Sequence, residues 1–147
     1  MNYFFDKTEN QEQLKKILQE WMGTPWRHWC GVKFLGTDCI HFIIRVLEEL
    51  NFGPFKITPY PKDWNLHHSG EDLLKELKKQ LNCIEVDVNN PMNGDIILFF
   101  FGKMSSHAGF YMDDHIFQSV TNIGVIRTHW LDQMWYKRKR HALRILG

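Results

Sequence analysis

Residues 23–50 read GTPWRHWCGVKFLGTDCIHFIIRVLEEL, and the change of pattern inside this stretch decides the fold. From Gly23 to Thr37, glycines, a proline and aromatic residues follow one another without a period, the composition of an ordered loop of the kind that carries function. From Asp38 onward Cys39, Ile43, Val46, Leu47 and Leu50 recur on one stripe while Arg45, Glu48 and Glu49 fall off it, which predicts an amphipathic helix that stops at Gly53-Pro54. Cys39 is thereby placed in the first turn of a helix, on its inward face.

Toward the N-terminus, Thr8 with Gln11 three residues later reads as a capping box. Leu14, Ile17, Leu18 and Trp21 then recur at helical spacing, predicting a helix over about 9–22 that Gly23 and Pro25 end. Toward the C-terminus, residues 53–69 form a long connection containing Tyr60-Pro61 and Trp64, followed by a helix capped by Ser69 and carrying Leu73, Leu74, Leu77 and Leu81. Beyond Cys83 the pattern changes to short runs of strand composition at 83–87, 95–101, 107–112, 115–120, 124–128 and 138–145. Helices first and strands after predict an α+β fold, N-terminal helices packed on an antiparallel sheet of about five to six strands. There is no internal repeat, low-complexity tract or linker, and a chain of 147 residues with 44% hydrophobic content reads as a single domain over 1–147.

A net charge of +1 gives no general electrostatic case for binding nucleic acid or a membrane surface. The run Lys137-Arg138-Lys139-Arg140 is read as a charged edge strand that discourages aggregation rather than as a polyanion site. Three cysteines, Cys30, Cys39 and Cys83, are too few and too irregularly spaced for a disulfide scaffold, so free thiols are expected. The N-terminal MNYFFDKTEN lacks a signal peptide and no stretch has the length of a membrane span, which predicts a soluble protein made in the cytoplasm.

A thiol is a weak nucleophile until it ionises, and a helix start favours the thiolate through its unpaired N–H groups and dipole. Cys39 has that placement. Cysteine catalysis also needs an imidazole to take and return the proton and a polar group to orient the imidazole. Of the eight histidines, His107 is selected by strand geometry. If Asp113-Asp114 is a two-residue hairpin turn, Gly109 lies opposite Gln118, and His107 becomes a diagonal neighbour of Gln118 on the same face. Gly109 leaves room between them, and the Gln118 amide oxygen is then in place to accept from the ring. A three-residue loop would instead put the two on opposite faces.

GTPWRHWCGVKFLGTDCIHF (23–42), MNGDIILFF (92–100) and SSHAGFYMDDHIFQSV (105–120) closely resemble, in order and spacing, the successive signatures of NlpC-type cell-wall peptidases, the NlpC and p-sixty family. The match is nearest to the phage-tail and gene-transfer-agent branch, which shares the early G-T-P-aromatic-R-H run and a P-Y-x-x-D-W-like stretch, here Pro59 to Trp64. The resemblance covers roughly residues 22–145 and implies a papain-like fold, with Cys39 as nucleophile, His107 as general base and Gln118 as the third polar residue. It implies no cofactor and no metal. The implied substrate is a peptidoglycan stem peptide, cut between γ-D-glutamate and diaminopimelate or lysine, with Asp38 suited to recognise a free amine or simply to cap the helix. Two positions depart from the family pattern. Trp26 stands where a tyrosine is usual and can donate only through its indole N–H, so the Cys39 backbone N–H is the better oxyanion donor. Ile40-His41 replaces the usual Ser-Gly after the cysteine, which removes contacts that serine would make.

With no wall-binding module of its own, such an enzyme implies delivery to the cell wall by phage-tail or secretion-apparatus proteins or a virion. Other functions on the same scaffold are a cysteine amidase or acyl hydrolase, for instance an antibacterial effector, and a non-catalytic structural tail protein. His28-x-Cys30 and Cys39-x-His41 together invite a zinc reading, but the spacing lacks the Cys-x₂₋₄-Cys bracket and no metal is expected. His67-His68 read as polar loop residues, and most of the six tryptophans as core.

Overall fold

Asp38 ends the loop and begins the helix. Its extended backbone and its side chain, which accepts from the His41 N–H, make it the N-cap of helix α2 (Cys39–Glu49). This helix is more deeply buried than a single stripe requires, because Ile40, Phe42 and Ile44 are enclosed together with Ile43, Val46 and Leu47. The computed structural model describes residues 2–57, 59–60 and 71–147. Among them a 3₁₀ turn (Phe4–Asp6) and helix α1 (Thr8–Trp21) precede α2, and helix α3 (Asp72–Gln80) follows it.

The strands are β1 (Gly31–Val32), β2 (Gly36–Thr37), β3 (Cys83–Val86), β4 (Ile96–Phe101), β5 (Met104–Met112), β6 (His115–Val120), β7 (Gly124–His129) and β8 (Lys139–Ile145), with a short helix α4 (Gln133–Tyr136) between the last two. β1 and β2 form a small hairpin, and the others form a six-stranded sheet in the order β3-β8-β4-β5-β6-β7. Every pairing in that sheet is antiparallel. The fold is therefore α+β, as the order of helical and strand patterns predicts. β4 is an unbroken apolar run because both of its faces are covered. Ile96 and Leu98 join the helices' Leu14, Leu18, Phe42 and Leu47 in one core, while Ile97 and Phe99 join Tyr111, Trp130 and Trp135 in a second core on the opposite face.

One local expectation fails and another holds only in part. Thr8 is not a cap, since the 3₁₀ turn runs straight into α1 and leaves Lys7 as an N-cap without a side-chain bond. The side chains of Asn10 and Gln11 instead donate backward to the carbonyls of Phe4 and Phe5, each at 2.7 Å. The basic run is an edge only in part. β8 as a whole lies between β3 and β4, but β3 pairs with it only from Ala142 to Ile145, so its Lys139 end has β4 on one side alone. Lys137 and Arg138 precede the strand; Arg138 lies 4.5 Å over the Phe101 ring and Lys139 3.4 Å over Tyr136. Ser69, Trp64 and His67-His68 lie outside the described residues. The three cysteines are free, and among the described residues no helix is long and apolar enough to cross a membrane.

The loop preceding α2 is tied to the sheet by its backbone. Gly23 N donates to Val125 O at 3.0 Å and Val125 N to Thr24 O at 2.9 Å, and a side chain on Gly124, at φ +118°, would run into the Thr24 carbonyl. Ser119 of β6 donates to Thr37 O at 2.7 Å. The loop leading into α2 is thus fastened to β6 and β7, beside the strand that carries His107.

Candidate active site

The β5–β6 hairpin closes through Asp113 and Asp114, both left-handed at φ 50° and 61°, with Met112 opposite His115. This two-residue turn sets the register that brings His107 beside Gln118, and His107 Nε2 lies 2.7 Å from Gln118 Oε1. Gly109 is required for the approach, because a Cβ there would meet Ile116 Cγ2 at 2.6 Å and Gln118 Cβ at 3.1 Å. The Gln118 amide is oriented in turn, since its Nε2 donates to Thr128 Oγ1 at 2.8 Å on β7. With its nitrogen spent on Thr128, Gln118 presents oxygen to the ring, so His107 Nε2 carries the proton and Nδ1 keeps a lone pair.

Aromatic rings enclose His107. Trp135 of α4 stacks on it at 5.2 Å and 29°, with Phe99 at 5.8 Å and Phe101 at 6.0 Å. Burial lowers the His107 pKa to about 4, against the raising effect of the hydrogen bond with Gln118.

Cys39, at the N-terminus of α2, lies near the start of the same strand, its Sγ 3.7 Å from Ser106 O. The residue is half-buried, and enough protein surrounds the thiol for burial to push its pKa up to about 12. The Asp38 carboxylate adds to that rise, while the backbone N–H groups of Ala108, Cys39 and Ile40 oppose it. The resting pair is therefore a neutral thiol and a neutral imidazole. Cys39, His107, Asp38, Trp26, Tyr60 and Trp135 all line one open cleft of about 330 Å³. A larger hollow of about 440 Å³, bounded by α2, α3 and Phe55, Ile57, Pro59 and Tyr60, shares only Ile40 and Tyr60 with it among the described lining and is predominantly aliphatic.

Asp38 is buried, and each of its oxygens accepts two hydrogen bonds. Oδ1 takes His41 N at 2.8 Å and faces His41 Nδ1 at 2.9 Å, and Oδ2 takes Trp29 N at 2.9 Å and Tyr60 Oη at 2.7 Å. Burial works to raise its pKa, but the bonds from His41 and Tyr60 together hold it below the usual carboxylate value. A substrate amine would have to displace one of these donors to reach it. Trp26 is half-buried on the cleft wall, its backbone bridged to Thr37.

Sequence reasoning missed His41, Tyr60, Trp135 and Thr128. For His41 a signal existed, because Asp38 and His41 stand three apart at a helix start. Tyr60 is 22 residues from Asp38 along the chain. Trp135 sits in a four-residue helix, too short to show a period.

The sequence profile of the NlpC/P60 family matches residues 23–144. No curated protein matches the chain in sequence. Among solved structures, a lipoprotein-like NLP/P60 protein from Staphylococcus aureus superposes with a TM-score of 0.70 at 14% identity, over 96% of this chain and 43% of that one. An NlpC/P60 protein from Bacillus cereus gives 0.65 at 18% identity, over 93% and 40%. The NlpC/p60 domain of the peptidoglycan hydrolase SagA gives 0.57 at 12% identity, over 90% and 97%. The chain thus spans less than half the length of the first two, and these likenesses establish the papain-like fold.

Proposed function

Since the chain belongs to the NlpC/P60 family, we propose that it is a cysteine peptidase that hydrolyses an amide bond of the peptidoglycan stem peptide through a Cys39 acyl-enzyme. The observation that carries this reading is the ordered relay Thr128–Gln118–His107 opening onto the same cleft as Cys39. A structural descendant would have no use for a buried histidine whose tautomer is dictated by two further side chains.

Because thiol and imidazole rest neutral, proton transfer accompanies attack. The Sγ–H proton passes to His107 Nδ1 as sulfur bonds to the carbonyl carbon. The developing oxyanion is met by the Cys39 and Ile40 N–H groups at the helix start. Collapse breaks the C–N bond, and the amine leaves with the proton from His107. Water, deprotonated by His107, then attacks the thioester, releasing the acid and restoring the Cys39 thiol. No step calls on a cofactor or metal. Trp26 forms a wall against which the substrate lies, and Asp38, its oxygens already occupied, acts mainly through the helix it caps.

The bond we assign is γ-D-glutamyl-diaminopimelate or γ-D-glutamyl-lysine, in a protein of the phage-tail branch carried to the wall by tail or secretion-apparatus proteins; the G-T-P-W-R-H run supports that assignment. Mass spectrometry of tripeptide and tetrapeptide muropeptides incubated with wild type and with Cys39→Ala tests it. Release of a diaminopimelate- or lysine-containing fragment by wild type alone is expected. Cleavage of a different amide would redirect the reading to another cysteine amidase or acyl hydrolase, and no cleavage by either protein would favour a structural tail component.

A further inference from the structure

Tyr60 enters the cleft from the connection after α2, far in sequence from every residue of the site, and its hydroxyl donates to the carboxylate of the residue preceding the nucleophile. Its ring is held edge-on against Trp29 at 5.1 Å and against His28 at 5.7 Å, and its oxygen is 3.2 Å from His41 Nδ1. The placement is specific, and the proposed chemistry leaves it without a task.

The negative charge that develops on the Cys39 sulfur as it gives up its proton in attack, and again as it leaves the acyl group in deacylation, lies next to a buried carboxylate, and two like charges in a poorly solvated site oppose each other. A hydrogen bond to Asp38 offsets part of that opposition by drawing the carboxylate's charge toward its donor, and bonds to ionised acceptors are the strong ones. The groups that face Asp38 among the described residues are His41 from α2, Trp29 N from the preceding loop, Tyr60 from the following connection and Cys39 itself. His28 lies beyond Tyr60 and His107 on the strand side of the cleft. Of these donors, the Trp29 and His41 N–H groups belong to the backbone and come with the fold. The Tyr60 hydroxyl and the His41 ring are side chains, added by choice of residue.

The geometry points to Tyr60 as a positioning residue for Cys39: its hydroxyl holds and partly neutralises the Asp38 carboxylate, so that sulfur can carry charge beside it. This rests on the reading of Cys39 as nucleophile but not on the identity of the substrate, and thiol chemistry alone reads it.

The test is the rate of Cys39 alkylation by iodoacetamide between pH 7 and 10, followed by peptide mass spectrometry with Cys30 and Cys83 as internal references, in wild type, Tyr60→Phe, Asp38→Asn and the double variant. Phenylalanine keeps the ring against Trp29 and His28, and asparagine keeps the helix cap. Loss of the hydroxyl is expected to slow Cys39 about threefold to tenfold at every pH, a parallel displacement of up to about one pH unit, with Cys30 and Cys83 unchanged. In the Asp38→Asn background, with no carboxylate charge left to balance, the same change is expected to have no effect. An unaltered Cys39 profile in Tyr60→Phe overturns the proposal, as does a slowing that persists in the Asp38→Asn background. Loss of muropeptide cleavage by Cys39→Ala without any of these shifts would leave the peptidase reading standing and remove Tyr60 from it.

Discussion

The two halves of the cleft are built by different means. The imidazole half is made wholly from one sheet and its aromatic cover: His107, Gln118 and Thr128 occupy three neighbouring strands, and Trp135 closes over the ring. The thiol half is made from a helix start and two loops, with Asp38 gathering donors from Trp29, His41 and Tyr60. Strand register fixes the first, and a hub of hydrogen bonds fixes the second. The difference teaches that burial keeps both the imidazole and the thiol neutral, and that the thiol alone has in addition a charged neighbour, Asp38, opposing its ionisation.

The sharpest way to break this comparison is to remove each centre. Cys39→Ala and His107→Ala are each expected to reduce kcat/KM on a cleaved muropeptide by about 10⁴-fold or more, because nucleophile and base act as a unit and their losses do not add. A double variant no worse than either single one checks that coupling.

Dryness has a pH signature. The His107 pKa falls from 6.5 in the unfolded chain to about 4 in the folded one, so the unfolded state binds more protons in that interval. The stability this group contributes is fully present above pH 6.5 and lost as pH falls toward 4, at most about 3 kcal/mol. Urea denaturation at pH 7, 5.5 and 4.5 is expected to show that decline, and His107→Gln to flatten it. The thiol gives the opposite sign. Its pKa rises from 9.0 to about 12, so its contribution is present below pH 9 and lost as pH climbs, and Cys39→Ala is expected to be the less alkali-sensitive protein.

Smaller effects grade the relay. Gln118→Ala leaves the ring nitrogen without its acceptor and frees the tautomer, with an expected loss of about 10- to 100-fold in kcat. Thr128→Val removes only the bond that fixes the amide, and a loss of about two- to fivefold is expected. No loss from Thr128→Val would mean that Gln118 does not depend on Thr128 for its orientation.

The same contrast explains what was legible in the sequence. The strand half was readable residue by residue, because alternation and a two-residue turn place Gly109 opposite Gln118 by arithmetic, and the six strand runs lie within a few residues of their observed bounds. The helix containing Cys39 was readable for the same reason of period. The hub on Asp38 was not. Its donors Trp29 and Tyr60 come from segments without a repeat, brought together by tertiary contacts that no local pattern encodes. The basic run was half legible: its charges do mark the end of β8 that β3 leaves uncovered, but nothing in them shows that the apolar end, Ala142 to Ile145, is paired on both sides. Thr8 misled because a capping motif says nothing of a 3₁₀ turn already leading into the helix.

The most direct test of the central claim is capture of the acyl-enzyme. Wild-type protein mixed with a stem tetrapeptide, quenched in acid within milliseconds and digested, is expected to carry the acyl fragment on the peptide containing Cys39, with none on those containing Cys30 or Cys83 and none in Cys39→Ala. Product formation without any adduct, undiminished in Cys39→Ala, would contradict the account and move the chemistry away from this thiol.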